Sequence, residues 1–330
     1  MRQLSLDVEV TRGDTVESRH RVHAAVVEGE KLVAGARDPH LVTAWRSCAK
    51  PFQVMPLLHA GGFDSLGWGD AELALACASH GAEPEHLAIA ERMLSSIGLE
   101  EGDLACGPHE PLSVRGARLW REGGQPLTRL HNNCSGKHAA MLARAVTMGW
   151  PTHGYQRIDH AVQRACVGEV SCWSGVALDD MGVAVDGCSA AVMILPLDRM
   201  ALAYARLGAA IAAGEEVPSR IAGALRAHPH LLGGTDRFDT VVLQETQGRV
   251  ITKVGAEGVH SVMVPDRRIG FTVKVEDGAV RAQHAAVVAL LRTLDVLLDL
   301  PPRLADYLRK PVKNTRGEVV GEIRGAFSPT

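Results

Sequence analysis

The segment RVHAAVVEGEKLVAGA, residues 21–36, indicates where the sheet of this protein begins. Two runs typical of β-strands, residues 21–27 and 32–36, flank the polar, glycine-containing residues 28–31. A short turn between two such runs is typical of a hairpin. We therefore expect paired strands near the start of the chain.

Further along, the pattern changes from strands to helices. Apolar residues recur on one helical face from Leu87 to Ile97, and Gly98 follows as a stop signal. The same reasoning predicts helices at residues 135–148, 159–170 and 198–213, with short strands at 181–185 and 190–195. Strand patterns return over residues 238–280, including the run 269–275, before a helix that ends ahead of Pro301 and an extended surface tail after Lys310.

Strand-rich ends around a helical middle predict an α+β fold. We expect one antiparallel sheet built from both chain ends, helices on its faces and a helical insertion. No repeat or long linker separates independent domains, so residues 1–330 are predicted to form a single catalytic unit. Its sheet-containing part is expected at residues 1–60 and 230–330, and its mainly helical part at 61–229.

Composition narrows the possible partners. The chain has 35 basic and 38 acidic side chains, a net charge of -3, so it lacks the basic field that attracts nucleic acid or an anionic membrane. A small molecule is therefore a better candidate partner than nucleic acid or a membrane. Seven cysteines are typical of reduced thiols, which favours a cytoplasmic protein, and no uncharged run is long enough to cross a membrane.

Ser47 and Lys50 are the first residues that suit catalysis. On a helix, side chains three positions apart share a face, so the Lys50 amine can reach the Ser47 hydroxyl. A lysine with its ordinary pKa of about 10.4 is a poor base at neutral pH, so such a pair needs surroundings that favour the uncharged amine. The S-D-N and K-T-G strings of penicillin-recognising enzymes are absent, which disfavours that class.

Three other stretches carry reactive side chains. Ser79 and His80 are adjacent at the end of a predicted helix, and Lys253 lies in a strand-like run of a chain with few lysines. The polar run 131–138 enters an apolar helix, and its Cys134 could join Cys188 in a zinc site.

Five motifs in this order resemble the Rhizobium-type, or class 3, L-asparaginases of the asparaginase II family. They are Arg46-Ser47-x-x-Lys50-Pro51, Cys77-Ala78-Ser79-His80, Asn133-Cys134-Ser135-Gly136-Lys137-His138, Asp186-Gly187-Cys188 and Lys253-x-Gly255-Ala256. The resemblance spans nearly the whole chain. It implies a fold similar to serine β-lactamases and glutaminases, and a homodimer.

The resemblance also implies roles for particular residues. Two Ser–Lys tandems carry over as Ser47 with Lys50 and Ser79 with Lys253, and a zinc site carries over as Cys134, Lys137 and Cys188. The substrate would be L-asparagine. Its charged groups need fixed partners, for which the candidates are Arg46, His80, His138 and Asp186.

The resemblance therefore implies hydrolysis of L-asparagine to L-aspartate and ammonia through an acyl-enzyme. Ser47 would attack, Lys50 would take its proton, and Ser79 with Lys253 would relay protons. Two alternatives stay open. One is a glutaminase or other small-amide hydrolase of the same fold, since one methylene is worth only about 1–3 kcal/mol of discrimination. The other is a non-enzymatic sensor built on thiols and zinc.

Overall fold

The structure is a computed structural model that describes residues 1–325. Its strands are β1 (Arg2–Leu4), β2 (Val8–Arg12), β3 (Thr15–His20), β4 (Val22–Glu28), β5 (Lys31–Ala36), β6 (Val42–Ala44), β7 (Gly182–Val185), β8 (Ala191–Pro196), β9 (Ile251–Val254), β10 (Val259–Val264), β11 (Ile269–Val275), β12 (Arg309–Lys313) and β13 (Val319–Gly325).

The α-helices in the same residues lie mainly in the middle of the chain. They are α1 (Lys50–His59), α2 (Gly62–Ser65), α3 (Asp70–Ala76), α4 (Pro84–Ser96), α5 (Val114–Gly123), α6 (Ser135–Thr147), α7 (Ala161–Ser174), α8 (Leu197–Ala212), α9 (Glu216–Ala227), α10 (Pro229–Leu232), α11 (Phe238–Glu245), α12 (Val280–Thr293) and α13 (Pro302–Leu308). Short 3-10 helices occur at Arg46–Ala49, Glu101–Asp103, Arg129–His131, Leu178–Asp180 and Pro265–Arg267. The predicted α+β class is confirmed.

The chain divides into two compact units. The sheet unit comprises residues 1–43, 195–209 and 249–330, and the helical unit comprises residues 44–194 and 210–248. Residues 44–60 and 230–248, predicted in the sheet-containing part, belong to the helical unit, which includes α1 and α11. Residues 195–209, predicted in the helical part, belong to the sheet unit. The single catalytic unit over residues 1–330 stays a prediction.

The sheet unit has two sheets among the described residues, not the single sheet that we expected. The larger one has the order β1-β5-β4-β11-β10-β9 and so combines strands from both chain ends. Its register pairs β4 with β11 from Val22 opposite Val275 to Glu28 opposite Ile269. One pairing departs from the antiparallel expectation, because β1 lies parallel to β5.

The smaller sheet corrects the expectation for the tail. Its order is β12-β13-β2-β3, so residues after Lys310 form paired strands rather than an extended surface segment. The last part of that prediction, residues 326–330, lies outside the described residues. The sequence pattern missed this sheet because its outer strand β3 is largely exposed and lacks a clear apolar face.

Gly270 fixes how closely helix α8 approaches the larger sheet. A Cβ atom at this position of β11 would collide with the backbone of α8 at Ala201 and Ala205. Glycine is therefore required here by space.

The helical unit positions the candidate site through the close crossing of α3 and α6. A Cβ atom at Gly136, in the first turn of α6, would lie 2.5 Å from the Leu75 carbonyl oxygen near the end of α3. Helix α1 begins beside them, with Pro51 in its first turn, where a missing backbone N–H costs no hydrogen bond. Strand β7 pairs antiparallel with residues 191–194 of β8 in the same unit.

None of the helices within residues 1–325 has the length and apolar character needed to cross a lipid bilayer.

Candidate active site

The first candidate residues lie on the turn that leads into α1. After the 3-10 helix Arg46–Ala49, the Lys50 amide donates to the Ser47 carbonyl oxygen, a pattern that places side chains three apart on the same side. Arg46 has a φ of 53°, which is uncommon for a residue with a side chain. Such strain occurs often at functional sites.

The Lys50 amine is buried, with 1% of the residue exposed. Its Nζ donates to the carbonyl oxygen of Ala78, and it lies 3.1 Å from Ser79 Oγ and 3.5 Å from the Asn133 carbonyl oxygen. We predicted Ser47 as the partner of Lys50, but the direct contact joins Lys50 to Ser79. The half-buried Ser47 hydroxyl has no hydrogen-bond partner within residues 1–325.

This arrangement can satisfy the Lys50 amine in both of its protonation states. An uncharged amine donates two hydrogens, which suit the Ala78 and Asn133 carbonyl oxygens, and keeps a lone pair for the Ser79 hydroxyl proton. After the proton moves, the ammonium has three donors and the Ser79 oxygen becomes the third acceptor. The surroundings therefore suit a group that accepts and returns a proton.

Arg46 and Asp186 form an ion pair beside this turn. Arg46 Nε donates to Asp186 Oδ1 over 2.9 Å, and the same oxygen accepts the Gly187 amide over 2.6 Å. The side chains are 25% and 11% exposed, so both are near the surface of the unit. The two predicted charge partners of the substrate are thus brought together, with opposite signs.

His80 and His138, the other predicted substrate-binding residues, are fully buried. Burial, with His86 nearby, holds the pKa of His80 well below its usual range. Burial and the neighbouring Lys137 lower the pKa of His138 to about 3. Both rings are therefore uncharged near neutral pH and supply no fixed positive charge.

Cys134, Lys137 and Cys188, the predicted zinc ligands, lie together in the helical unit, and their binding of zinc stays a prediction. The Lys137 amine lies 2.9 Å from Cys188 Sγ, and the Cys134 thiol lies 2.9 Å from Asn133 Oδ1. All three residues are buried. Within residues 1–325 no three His, Cys, Asp or Glu side chains are grouped to hold a metal, so the amine would have to complete this donor set.

The charges in this cluster are set by mutual contact. Hydrogen bonding by Cys134, assisted by the Lys137 charge, outweighs burial and lowers the pKa of Cys188. The same hydrogen bond, with burial, raises the pKa of Cys134. Burial disfavours the charged form of Lys137, but Cys188 and Cys134 outweigh it and raise the Lys137 pKa. Without metal, the directions of these shifts favour a Cys188 thiolate beside a Lys137 ammonium.

Lys253 lies on β9 of the sheet unit and is 2% exposed. Its amine donates to the Val254 carbonyl oxygen over 3.0 Å, among other interactions. Its pairing with Ser79 stays a prediction.

Two contributors to the site were missed. The Asn133 carbonyl is a main-chain group, so no side-chain pattern marks it. Tyr155 Oη lies 2.6 Å from His138 Nδ1 and accepts the Ala105 amide over 3.0 Å. No sequence signal connects Tyr155 to His138, because their contact depends on how the helices pack.

Comparisons with known proteins bear on this geometry. The comparison with curated proteins gave no match. Among solved structures, the chain is similar to one described as "Crystal Structure Analysis of Mglu in its native form", at 14% identity and a TM-score of 0.47, over 85% of this chain and 64% of that one. It is also similar to EstCE1, described as a hydrolase with promiscuous acyltransferase activity, at 10% identity and a TM-score of 0.40, over 77% of this chain and 88% of that one.

The chain thus spans less than two thirds of the Mglu chain. Both TM-scores are below 0.5, so they do not establish the fold, and the predicted β-lactamase-like fold stays a prediction. The profile of the L-asparaginase II family matches residues 8–325, nearly the whole chain. The protein therefore belongs to the L-asparaginase II family.

Proposed function

We propose that this protein is an amidohydrolase that converts L-asparagine to L-aspartate and ammonia. Membership of the L-asparaginase II family supports the reaction. The observation that carries the chemistry is the buried Lys50 amine, 3.1 Å from the Ser79 hydroxyl. A nucleophile within hydrogen-bond distance of a base is the arrangement that acyl transfer through an activated alcohol needs.

In this mechanism Ser79 Oγ attacks the side-chain amide carbon of asparagine while Lys50 takes the hydroxyl proton. The carbon–nitrogen bond then breaks, and the leaving nitrogen takes that proton from Lys50 and departs as ammonia. An aspartyl ester stays on Ser79. Water attacks the ester, passing a proton to Lys50, which returns it to the Ser79 oxygen as aspartate leaves.

Ser47 was the nucleophile that the sequence predicted, and it stays the rival to Ser79. Its half-exposed hydroxyl lies on the turn that ends at Lys50. Arg46 and Asp186 are the proposed partners of the substrate α-carboxylate and α-amino groups, since their charges have the required signs. Lys253 as a second base and a homodimer also stay predictions.

Zinc is proposed at Cys134, Lys137 and Cys188. Two sulfur donors and one nitrogen donor suit this metal, and the lowered pKa of Cys188 favours the thiolate that binds it. Lys137 and Cys134, whose pKa values are both raised, would each have to lose a proton to bind the metal. When bound, zinc would supply a Lewis-acid centre that aligns the substrate.

The test is ammonia release from asparagine by the wild type, Ser79→Ala and Ser47→Ala. We expect Ser79→Ala to lower kcat by on the order of 10³-fold or more. Mass spectrometry of acid-quenched turnover then identifies which serine carries the aspartyl ester. Ester on Ser47 would reject Ser79 as the nucleophile while leaving the reaction class intact.

The same experiment separates the other functions. Faster ammonia release from glutamine or another small amide would favour the alternative hydrolase. The thiol–zinc sensor predicts no ammonia release from any amide by a protein with zinc bound.

A further inference from the structure

The side chain of His80 bridges two segments of the helical unit. Its Nδ1 accepts the Ala82 amide over 3.2 Å, and its Nε2 lies 2.8 Å from Ser135 Oγ. Because Nδ1 accepts a hydrogen, the proton of the uncharged ring is on Nε2. His80 therefore donates to Ser135, and the bridge has a defined direction.

Within residues 1–325, these two segments carry the three hydrogen-bond partners of the Lys50 amine. Ala78 and Ser79 immediately precede His80, and Asn133 lies two residues before Ser135. The segments also meet through the main chain, because the His80 amide donates to the same Asn133 carbonyl oxygen over 3.2 Å. A shift of either segment would change the distances around the Lys50 amine.

The His80 ring is itself held in place. It stacks on His86 with ring centroids 5.1 Å apart and an interplanar angle of 13°. His86 Nδ1 accepts the Glu83 amide and its Nε2 donates to the His230 carbonyl oxygen, each over 3.0 Å. Because the ring is held by stacking and at both nitrogens, it can fix the position of one bridged segment relative to the other.

We propose that His80 is a positioning residue, whose bridge to Ser135 sets the distance between the Lys50 amine and the Ser79 hydroxyl. The inference rests on the proposed function only in taking Lys50 and Ser79 as the reacting pair.

Two other roles fit His80 less well. It is fully buried and both ring nitrogens have partners, so it has no free polar atom for a substrate. It also cannot act as a base toward Ser135, because Nε2 already carries the proton. The adjacent Ser79 and His80 of the sequence thus work through different partners.

Two substitutions at position 80 separate the bridge from the local loop. In His80→Asn the side-chain oxygen can still accept the Ala82 amide, but the residue is too short to reach Ser135. In His80→Gln the longer side chain can place an amide donor near the position of Nε2. Ser135→Ala removes the acceptor instead.

The control is His20→Asn in the sheet unit. His20 is a buried histidine with two partners, since Nδ1 lies 2.6 Å from Asp277 Oδ2 and Nε2 accepts from Arg281 Nε over 2.9 Å. It tests the general cost of losing a buried imidazole.

Each variant is assayed for kcat and KM with asparagine, and for the rate at which a fluorophosphonate probe labels Ser79. We expect His80→Asn and Ser135→Ala to lower kcat and the labelling rate by on the order of 100-fold, the effect of misplacing a reacting group by about 1 Å. KM should change little. His80→Gln should recover part of the lost kcat and labelling rate. The double variant of His80→Asn with Ser135→Ala should be no slower than either single variant, and His20→Asn should be labelled at the wild-type rate.

Full labelling and kcat in His80→Asn and Ser135→Ala would overturn the proposal, as would equal losses in His20→Asn. If His80→Asn does not fold, Ser135→Ala decides by the same criterion. If the wild type releases no ammonia from asparagine, the proposed function fails, and the labelling rates still test the positioning of Ser79.

Discussion

Lys50 and Lys137 are both buried lysines of the helical unit, but their neighbours differ. Lys50 is surrounded by uncharged oxygens from Ala78, Ser79 and Asn133. Lys137 lies 2.9 Å from the sulfur of Cys188, whose pKa is lowered. The first lysine therefore has no charged group among its hydrogen-bond partners in residues 1–325, whereas the sulfur beside the second raises the Lys137 pKa and favours its ammonium form.

The difference teaches that burial alone does not assign a role to a lysine. Burial disfavours charge on any amine, and a nearby partner of opposite charge offsets that cost. A base and a counter-ion can therefore lie within one small unit of one protein.

The largest effect should come from removing the Lys50 amine. We expect Lys50→Met to lower kcat for asparagine by on the order of 10³-fold, because proton transfer to and from the serine is lost. Lys50→Arg should not restore activity, since a guanidinium stays charged and cannot take a proton. Lys31→Met, at an exposed position, is the control. Near-normal turnover in Lys50→Met would show that Lys50 is not the base, contrary to the role assigned to it in this comparison.

Lys137→Met should act on stability instead. Loss of one partner of a buried ion pair leaves the Cys188 charge uncompensated, so the free energy of unfolding should fall by about 3 kcal/mol. Urea denaturation with a chelator present measures the free energy of unfolding of the metal-free protein, and so the effect of the ion pair alone. Lys137→Met combined with Cys188→Ala should recover part of the loss. An unchanged midpoint in the single variant would mean that the cluster holds no ion pair.

A smaller effect should appear in the pH dependence of stability, through His138 beside Lys137. The folded ring stays uncharged down to its pKa of about 3, whereas the unfolded ring takes a proton near pH 6.5. The unfolded state therefore binds more protons between these values, and the free energy of unfolding falls as pH falls, by at most about 1.4 kcal/mol per pH unit.

His138→Gln should flatten this dependence by one proton. Urea denaturation at pH 7, 6 and 5 compares the slopes of the two proteins, so a constant loss of stability cancels. Equal slopes would show that the pKa of His138 in the folded protein is not lowered relative to the unfolded protein.

Local patterns in the sequence predicted much of the fold. The run 269–275 is β11 without change, and the helix predicted at residues 135–148 is α6 to within one residue. The first run alternates apolar residues and the second has a helical apolar face, although the structure buries all of β11 and most of α6. The parallel pairing of β1 with β5 was missed, because strand pairing depends on distant contacts that periodicity does not encode.

The site shows the same limit. The sequence identified Ser47, Lys50 and Ser79 as reactive residues, but spacing along a helix favoured Ser47 as the partner of Lys50. The contact observed is to Ser79, which is 29 positions away and is brought near by the packing of the helical unit. Spacing predicts neighbours within one helix, and it does not predict what a flexible four-carbon side chain reaches beyond it.

Of the three hydrogen-bond partners of the Lys50 amine within residues 1–325, two are main-chain oxygens, from Ala78 and Asn133. Alanine scanning leaves such atoms in place, so a survey of single substitutions would overlook most of what surrounds this amine. Changes to the backbone would reveal the contribution of these main-chain oxygens. Examples are the replacement of an amide by an ester and the insertion of one residue that shifts the chain.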